Sequence, residues 1–374
     1  MYPLGFCMLD PITFNRRFKF LLIVCGLGVL YNGFSIVHEW PDLKKMMQIT
    51  MTMSINFQGL IRFICYIKDQ KTCSEIQSSI VKFYEECDKS DEKVKKMLAS
   101  VTKNLRISFA IVFIFHSFCE FSPFFMSLFD FAFNGKMVPP LPDFVPFVQR
   151  DSLISYGINF ILQLWIAVVT IIGHPELDWT YILMITHTKM HVDGIAYELD
   201  QMSELVQHKN KENSMKNEKI VKEKLVQLVE KHRKKLAYFN LSSKFISKQF
   251  FVLISMNIYV ICSSGISLLT SEYSIAFGIA ILYPIQILFV CIMGEFVKHQ
   301  HKRLNALIWD FKWYNLSLKH QKLFKFFLHN VQQPMKFEIL FIGVIDLELY
   351  ITVTIFKSHC EITHISIVIH RLST

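Results

Sequence analysis

The chain has 374 residues, 52% of them hydrophobic and only 19% charged, and its mean hydropathy is +0.33, a balance that argues against an ordinary soluble domain, where about 25% of residues are charged. The net charge of +9 sits between apolar runs and makes no aromatic-interleaved basic face, which argues against nucleic acid as its cause. Nine cysteines (Cys7, Cys25, Cys65, Cys73, Cys87, Cys119, Cys262, Cys291 and Cys360) show no CxxC pair and no framework spacing, so no disulfide is expected.

Taken in chain order, seven runs are long enough to cross the roughly 30 Å of hydrocarbon in a bilayer. They cover residues 20–37, 46–67, 105–126, 153–173, 246–269, 274–297 and 336–356. The runs are continuous rather than alternating, which rules out a closed β-barrel. The expected fold class is therefore an all-α membrane protein, a single seven-helix domain over 1–374. The first run follows Arg16, Arg17 and Lys19 and is too long for a signal-peptide core, so it reads as a retained helix. The second run, with Asn56, Gln58 and Arg62, and the last, with Asp346 and Glu348, are the least apolar. Arg62 is expected to reach the inner boundary with its head group.

Basic residues set the orientation. The N-terminus and the segments 68–106, 174–248 and 298–336 hold 33 of the 40 Lys and Arg residues, and the opposite compartments hold six. The positive-inside rule then places the N-terminus in the cytoplasm and, after seven crossings, the C-terminus outside. A seven-helix receptor coupled to G proteins has the opposite topology. No inverted repeat or paired broken helices suggest a transporter.

The cytoplasmic segments 174–245 and 298–335 keep a helical, amphipathic pattern, so helices four to seven are expected to extend beyond the membrane. Residues 206–219 are polar and read as a loop. Outside, residues 127–152 contain Pro139, Pro140, Pro142 and Pro146, a stiff irregular loop.

There is no HExxH, P-loop or GxSxG, so no enzyme and no cofactor are expected. His187 and His191 lie one helical turn apart, but two ligands make a weak metal site, and none is assigned. The sequons at Asn240 and Asn315 fall in cytoplasmic segments. Ionisable groups at membrane depth point further, because burying charge in hydrocarbon requires a partner or a cavity. His116 and Glu120 share a face of the third helix and pair with each other or polarise one end of an apolar cavity. Asp346 and Glu348 lie roughly 200° apart around the last helix, so one is expected to face an aqueous pore. Aromatic, Met and small polar residues crowd the outer halves of helices two, three, four and six. The candidate ligand contacts there are Met53, Phe57, His116, Phe118, Glu120, Tyr156, Phe160 and Tyr283, a setting for a small, mostly apolar molecule.

The C-terminal third carries Ile308-Trp309-Asp310-Phe311-Lys312-Trp313-Tyr314-Asn315-Leu316, then His320-Gln321-Lys322, Val331-Gln332-Gln333-Pro334, Leu347-Glu348-Leu349-Tyr350 and Lys357-Ser358. In order and content this resembles the insect odorant receptor family, and the His174-Pro175-Glu176 stretch, the length and the topology fit along essentially the whole chain. The resemblance implies a plasma-membrane, multi-pass subunit that joins a shared odorant co-receptor in a heteromeric, tetrameric cation channel and binds a small volatile. It implies subunit-anchor contacts at Trp313, Tyr314, Leu316 and Pro334, and a pore lined by the last helix at Asp346, Glu348, Thr352 and Thr363. The sequence departs from the family where Asp346 replaces the usual small Ser, and after Ser358, where His359-Cys360-Glu361-Ile362-Thr363-His364-Ile365 stands in place of an aromatic-rich end. The related gustatory receptors carry Thr-Tyr and Gln-Phe in the last helix, and this chain has no such pair.

Overall fold

The computed structural model describes residues 11–88, 92–143, 145, 152–207, 214–270, 274–339 and 342–354. Its helices are α1 (Pro11–His38), α2 (Leu43–Lys68), α3 (Gln70–Asp88), α4 (Glu92–Asn134), α5 (Leu153–Gln207), α6 (Ser214–Thr270), α7 (Ser274–Asp310) and α8 (Leu318–Val331), with a 3₁₀ turn at Trp313–Asn315. A two-stranded hairpin, β1 (Glu338–Ile339) and β2 (Gly343–Val344), precedes a last helix, α9, described over 347–354.

Among the described residues, five helical segments each contain a shorter window long and apolar enough to cross a membrane: Lys19–His38, Glu92–Asn134, Leu153–Ile171, Glu218–Gly265 and Ala280–Asn315. Helix α2 is long enough at 26 residues but more polar. Its polar side chains Gln58 and Arg62 are buried against neighbouring helices, so they face protein rather than lipid. Pro123, Pro175 and Pro284 lie inside α4, α5 and α7, as bundle helices tolerate when neighbours satisfy the freed carbonyls.

The extension of the long helices is continuous. Helices α5, α6 and α7 run for 55, 57 and 37 residues, well beyond a single bilayer crossing at 1.5 Å per residue. Two cores divide their length. One gathers Phe63, Tyr66, Tyr181, Phe245, Phe250, Ile287 and Phe337 from α2, α5, α6, α7 and the segment before β1. The other joins Val192, Leu199, Leu225, Leu304, Ile308, Phe324 and Phe327 of α5 to α8.

Helix α3 was not expected. Cys73, Ile76, Ile80 and Cys87 are buried at three-, four- and seven-residue spacing, a one-sided stripe hidden in the sequence among lysines and glutamates. A second difference concerns residues 336–356, read as one helix. The chain turns as a hairpin at Gly343, whose φ of 109° suits glycine alone, and helix begins only at 347. Thr363 and the segment from 355 onward lie outside the described residues.

Candidate functional site

The helices meet around a chain of buried polar contacts. Arg62 on α2 donates from Nη2 to Asp178 Oδ1 on α5 at 2.5 Å and to the Tyr181 hydroxyl at 3.2 Å. The second carboxylate oxygen of Asp178 lies 3.1 Å from His116 Nε2 on α4. Tyr181 donates to Gln249 Oε1 on α6, and Gln249 Nε2 returns to the Arg62 carbonyl. One turn earlier on α2, Gln58 Nε2 donates to Asn257 Oδ1 at 2.9 Å, and Asn257 Nδ2 donates to Gln286 Oε1 on α7 at 3.0 Å. Helices α2, α4, α5, α6 and α7 are thus cross-linked by groups that hydrocarbon would not tolerate singly.

Two expectations change here. Arg62 does not reach toward the boundary; it is 1% exposed because Asp178 and Tyr181 give its guanidinium a partnered interior site. His116 makes its ion pair with Asp178 rather than closing on Glu120. Asp178, Tyr181 and Gln249 did not stand out in the sequence: each partner is distant in the chain, and only the acid inside a long apolar pattern offered a signal.

Glu120 lies within electrostatic range of His116 and Tyr283, and Tyr283 packs on Met51 and Val260. Tyr156 and Phe160 of α5 join α4: Phe160 meets Phe124 edge-on at 5.5 Å, and Tyr156 stacks on Phe131 at 5.3 Å. The Tyr156 hydroxyl lies 3.0 Å from Ser127 Oγ. Met53 is half-buried. Phe118 is 72% exposed and Phe57 38% exposed, so these two point out of the bundle and are not brought together with the rest.

The loop between α4 and α5 is fastened down. Gln163 of α5 accepts from Leu141 N and donates to the Asp143 carbonyl, Asn159 accepts from Val145 N, and Thr52 Oγ1 donates to Asp143 Oδ2 at 3.2 Å. Asp143 is 1% exposed. Burial pushes its carboxyl up to about 6, against the lowering pull of hydrogen bonds from Asn32 and Thr52.

At the start of α9, Asp346 accepts from Leu349 N at 3.1 Å and from Lys298 Nζ of α7 at 3.0 Å. It is an N-cap and a tether, not a mid-helix group. The Ser that resemblance led one to expect and the Asp found here are both strong N-caps. Glu348 and Thr352 are exposed on α9. Behind α9, Ile258 and Ile261 of α6, Pro284 and Ile287 of α7, and Tyr350 and Val353 border a cavity of about 250 Å³. None of the ligand contacts expected from the sequence lines it.

Of the expected anchor residues, Leu316 is buried in the second core and Trp313 packs against it. Tyr314 is 61% exposed, and Pro334 is exposed beyond α8. Trp309, Leu318 and Phe326 are also exposed in this region.

The family model described as 7tm Odorant receptor matches residues 42–356. No curated protein matches the chain. Among solved structures, the insect olfactory receptor OR5 from Machilis hrabei is 12% identical at a TM-score of 0.69, with 93% of this chain and 88% of that chain covered. The same receptor in complex with eugenol is 10% identical at a TM-score of 0.70, with the same coverage. At these identities the structural likeness is one of fold, while the family match spans most of the sequence. The chain is a membrane protein of the 7tm odorant receptor family, a family of receptors and not of enzymes.

Proposed function

We propose that this chain is the odorant-binding subunit of a heteromeric, ligand-gated cation channel in the plasma membrane of olfactory neurons. The observation that carries the reading is membership of the odorant receptor family together with a shared fold over 93% of the chain with a receptor solved in complex with eugenol. The ligand is a small, mostly apolar volatile. Its contacts are Met53, His116, Glu120, Tyr156, Phe160 and Tyr283 in the outer half, with Phe57 and Phe118 outside that set because of their exposure. Aromatic walls and a few polar groups are the composition such a cavity requires.

The N-terminus is cytoplasmic, α9 lines the pore, and Glu348 and Thr352 face the permeating cations. Ligand shifts the channel toward an open arrangement of α9 by as much as its affinity differs between the two states. A shared co-receptor completes a tetramer through the anchor region, with Tyr314, Trp313 and Pro334 toward the partner and Leu316 supporting them from within.

Whole-cell current is recorded from cells expressing the chain with and without an odorant co-receptor, under a broad volatile panel and with G-protein signalling blocked. A fast cation current that needs both subunits and survives the block supports the reading. A response that disappears under the block, or that needs no second subunit, overturns it.

A further inference from the structure

Beyond the apolar spans, where α5, α6 and α7 continue together, lies a group of buried basic side chains that ligand binding does not use. Lys235 of α6 is 0% exposed, and its Nζ has no hydrogen-bond partner among the described residues. The histidines within its electrostatic reach are His191 from α5, His232 from α6 and His301 from α7, with His187 packed beside His191, and none is more than 9% exposed. Both ring nitrogens of His187, Nε2 of His191 and Nδ1 of His301 also have no partner among the described residues. The rings of His187 and His191 stand 4.6 Å apart, and Tyr238 lies 4.6 Å from the first and 5.5 Å from the second. Helix α3 closes this side with Phe83, 4.8 Å and 4.7 Å from the two histidine rings, and with Tyr84 stacked on His187. Helix α8 contributes Phe327 against His232 at 5.5 Å.

No carboxylate among the described residues pairs with Lys235. The nearby acids are engaged elsewhere: Asp193 with Lys189 and Arg303, Glu198 with Lys224 and Lys231, and Glu86 with Lys234. A lone ammonium in such a place is costly, because no counter-charge among the described residues replaces its hydration. A packed bundle meets that cost by holding the amine neutral, and it then becomes sensitive to the proton that would recharge it.

We propose that Lys235 and the histidines packed around it form a proton sensor in the helical layer between the membrane spans and the anchor, where protonation loosens the packing of α5, α6 and α7. In the proposed orientation this layer faces the cytosol, so the signal is intracellular acidification.

The electrostatics agree in direction. Burial pulls Lys235 down to about 7 from 10.5. Burial, then the charges of Lys235 and Lys234, takes His191 down to about 3. His232 falls to about 4 through burial, Lys235 and His301; His301 is lowered by burial and Lys235, and His187 by burial and His191. Between pH 10.5 and 7 the unfolded chain holds a proton at this lysine that the folded chain lacks. Stability therefore falls as pH drops through that window and levels below it. The histidines add a further fall that begins only below their ordinary value of 6.5.

Thermal unfolding of the full chain in detergent, followed from pH 9 to pH 6.5, tests the proposal without requiring channel activity. The wild-type midpoint is expected to drop by several degrees between pH 9 and pH 7. Lys235→Met removes the titrating amine and should give a higher midpoint at pH 7 and a flat profile over that range. Lys235→Arg, charged throughout, should be flat and low, or unfold. A wild-type profile as flat as that of Lys235→Met, or a Lys235→Met profile that falls like wild type, overturns the proposal. The consequence for signalling rests on the channel reading: pipette solutions at pH 7.8 and 6.8 should give different currents in wild type and equal currents in Lys235→Met. Currents equally sensitive to pH in both proteins would overturn the signalling role, and no current in either would instead count against the channel reading.

Discussion

Asp346 Oδ2 accepts a hydrogen bond from Lys298 Nζ at 3.0 Å, while Asp346 Oδ1 accepts from Leu349 N at 3.1 Å. One carboxylate thus starts α9 and ties it to α7. The two roles separate by substitution. Asp346→Ser keeps a cap and loses the tether; Asp346→Ala loses both. An N-cap contributes about 1 kcal/mol, and the Lys298 pair, with its lysine 37% exposed, contributes less than about 1 kcal/mol. Asp346→Ala should therefore lower the thermal midpoint more than Asp346→Ser. If α9 moves on gating, Asp346→Ser and Lys298→Met should shift the concentration–response curve in the same direction. Equal midpoints for Ala and Ser would mean that the cap contributes nothing.

Four residues before Lys298, Gly294 lets α9 approach. A Cβ built there would lie 2.0 Å from the Ile345 carbonyl oxygen and 2.8 Å from its carbon. Backbone does not yield as a flexible side chain does, and overpacking of this kind costs roughly 1–3 kcal/mol. Gly294→Ala should lower the melting midpoint and surface delivery, whereas Gly33→Ala, with nothing within 4 Å of the added carbon, should not. A Gly294→Ala protein as stable as wild type would show that α9 starts elsewhere.

The helical, membrane-spanning character of the chain was legible because apolar runs of bilayer length have few alternative explanations. The continuous α5, α6 and α7 were legible from amphipathic patterning past the apolar runs. The site was less so. His116 and Glu120 sit one turn apart and suggest each other, yet the ion pair that His116 makes is with Asp178, 62 positions away. Sequence periodicity reports which face a residue occupies, not which helix meets that face. Phe118 shows the same limit: an aromatic group in the right span, it is 72% exposed, and apolar residues serve lipid contact and ligand contact equally well. The hairpin before α9 depended on a single backbone conformation at Gly343, which hydropathy does not register.

The Arg62–Asp178 pair predicts a strongly non-additive cycle. Removing one member leaves the other charged and buried, at a cost of roughly 3–5 kcal/mol. Arg62→Met and Asp178→Leu should each abolish surface delivery or lower the midpoint sharply. The double substitution should recover much of the loss, although His116 and Tyr181 remain in the network. Additive losses would mean that Asp178 is held chiefly by His116.

Asp143, in the loop between α4 and α5, gives a pH-dependent difference in stability. Its carboxyl is raised from 3.8 to about 6, so between those values the folded chain keeps a proton that the unfolded chain has released. Stability contributed by this group is therefore fully present only below pH 3.8 and is lost as pH rises through about 6. Asp143→Asn can still accept from Thr52 and should raise the midpoint at pH 7.4 by more than at pH 4, where most of the carboxyl's contribution is retained. Melting curves at the two pH values decide it, and a lower midpoint for Asp143→Asn at pH 7.4 would show that the ionised carboxylate is needed.

The proposed anchor region separates fold from partner. Leu316 is 6% exposed and packed in the second core, whereas Tyr314 is 61% exposed a short turn away. Leu316→Ala should cost roughly 2–5 kcal/mol of stability, the usual range for emptying a core leucine site. Tyr314→Ala should leave the thermal midpoint of the isolated chain unchanged, because its ring is mostly in solvent. Exposed aromatics in a contact patch carry a large share of binding free energy when a partner covers them. Co-purification with a tagged co-receptor should therefore fall for Tyr314→Ala and fall further when Trp309→Ala is added. Unchanged co-purification in the double variant, with the fold intact, would move the subunit contact away from this face and toward the surface around Pro334.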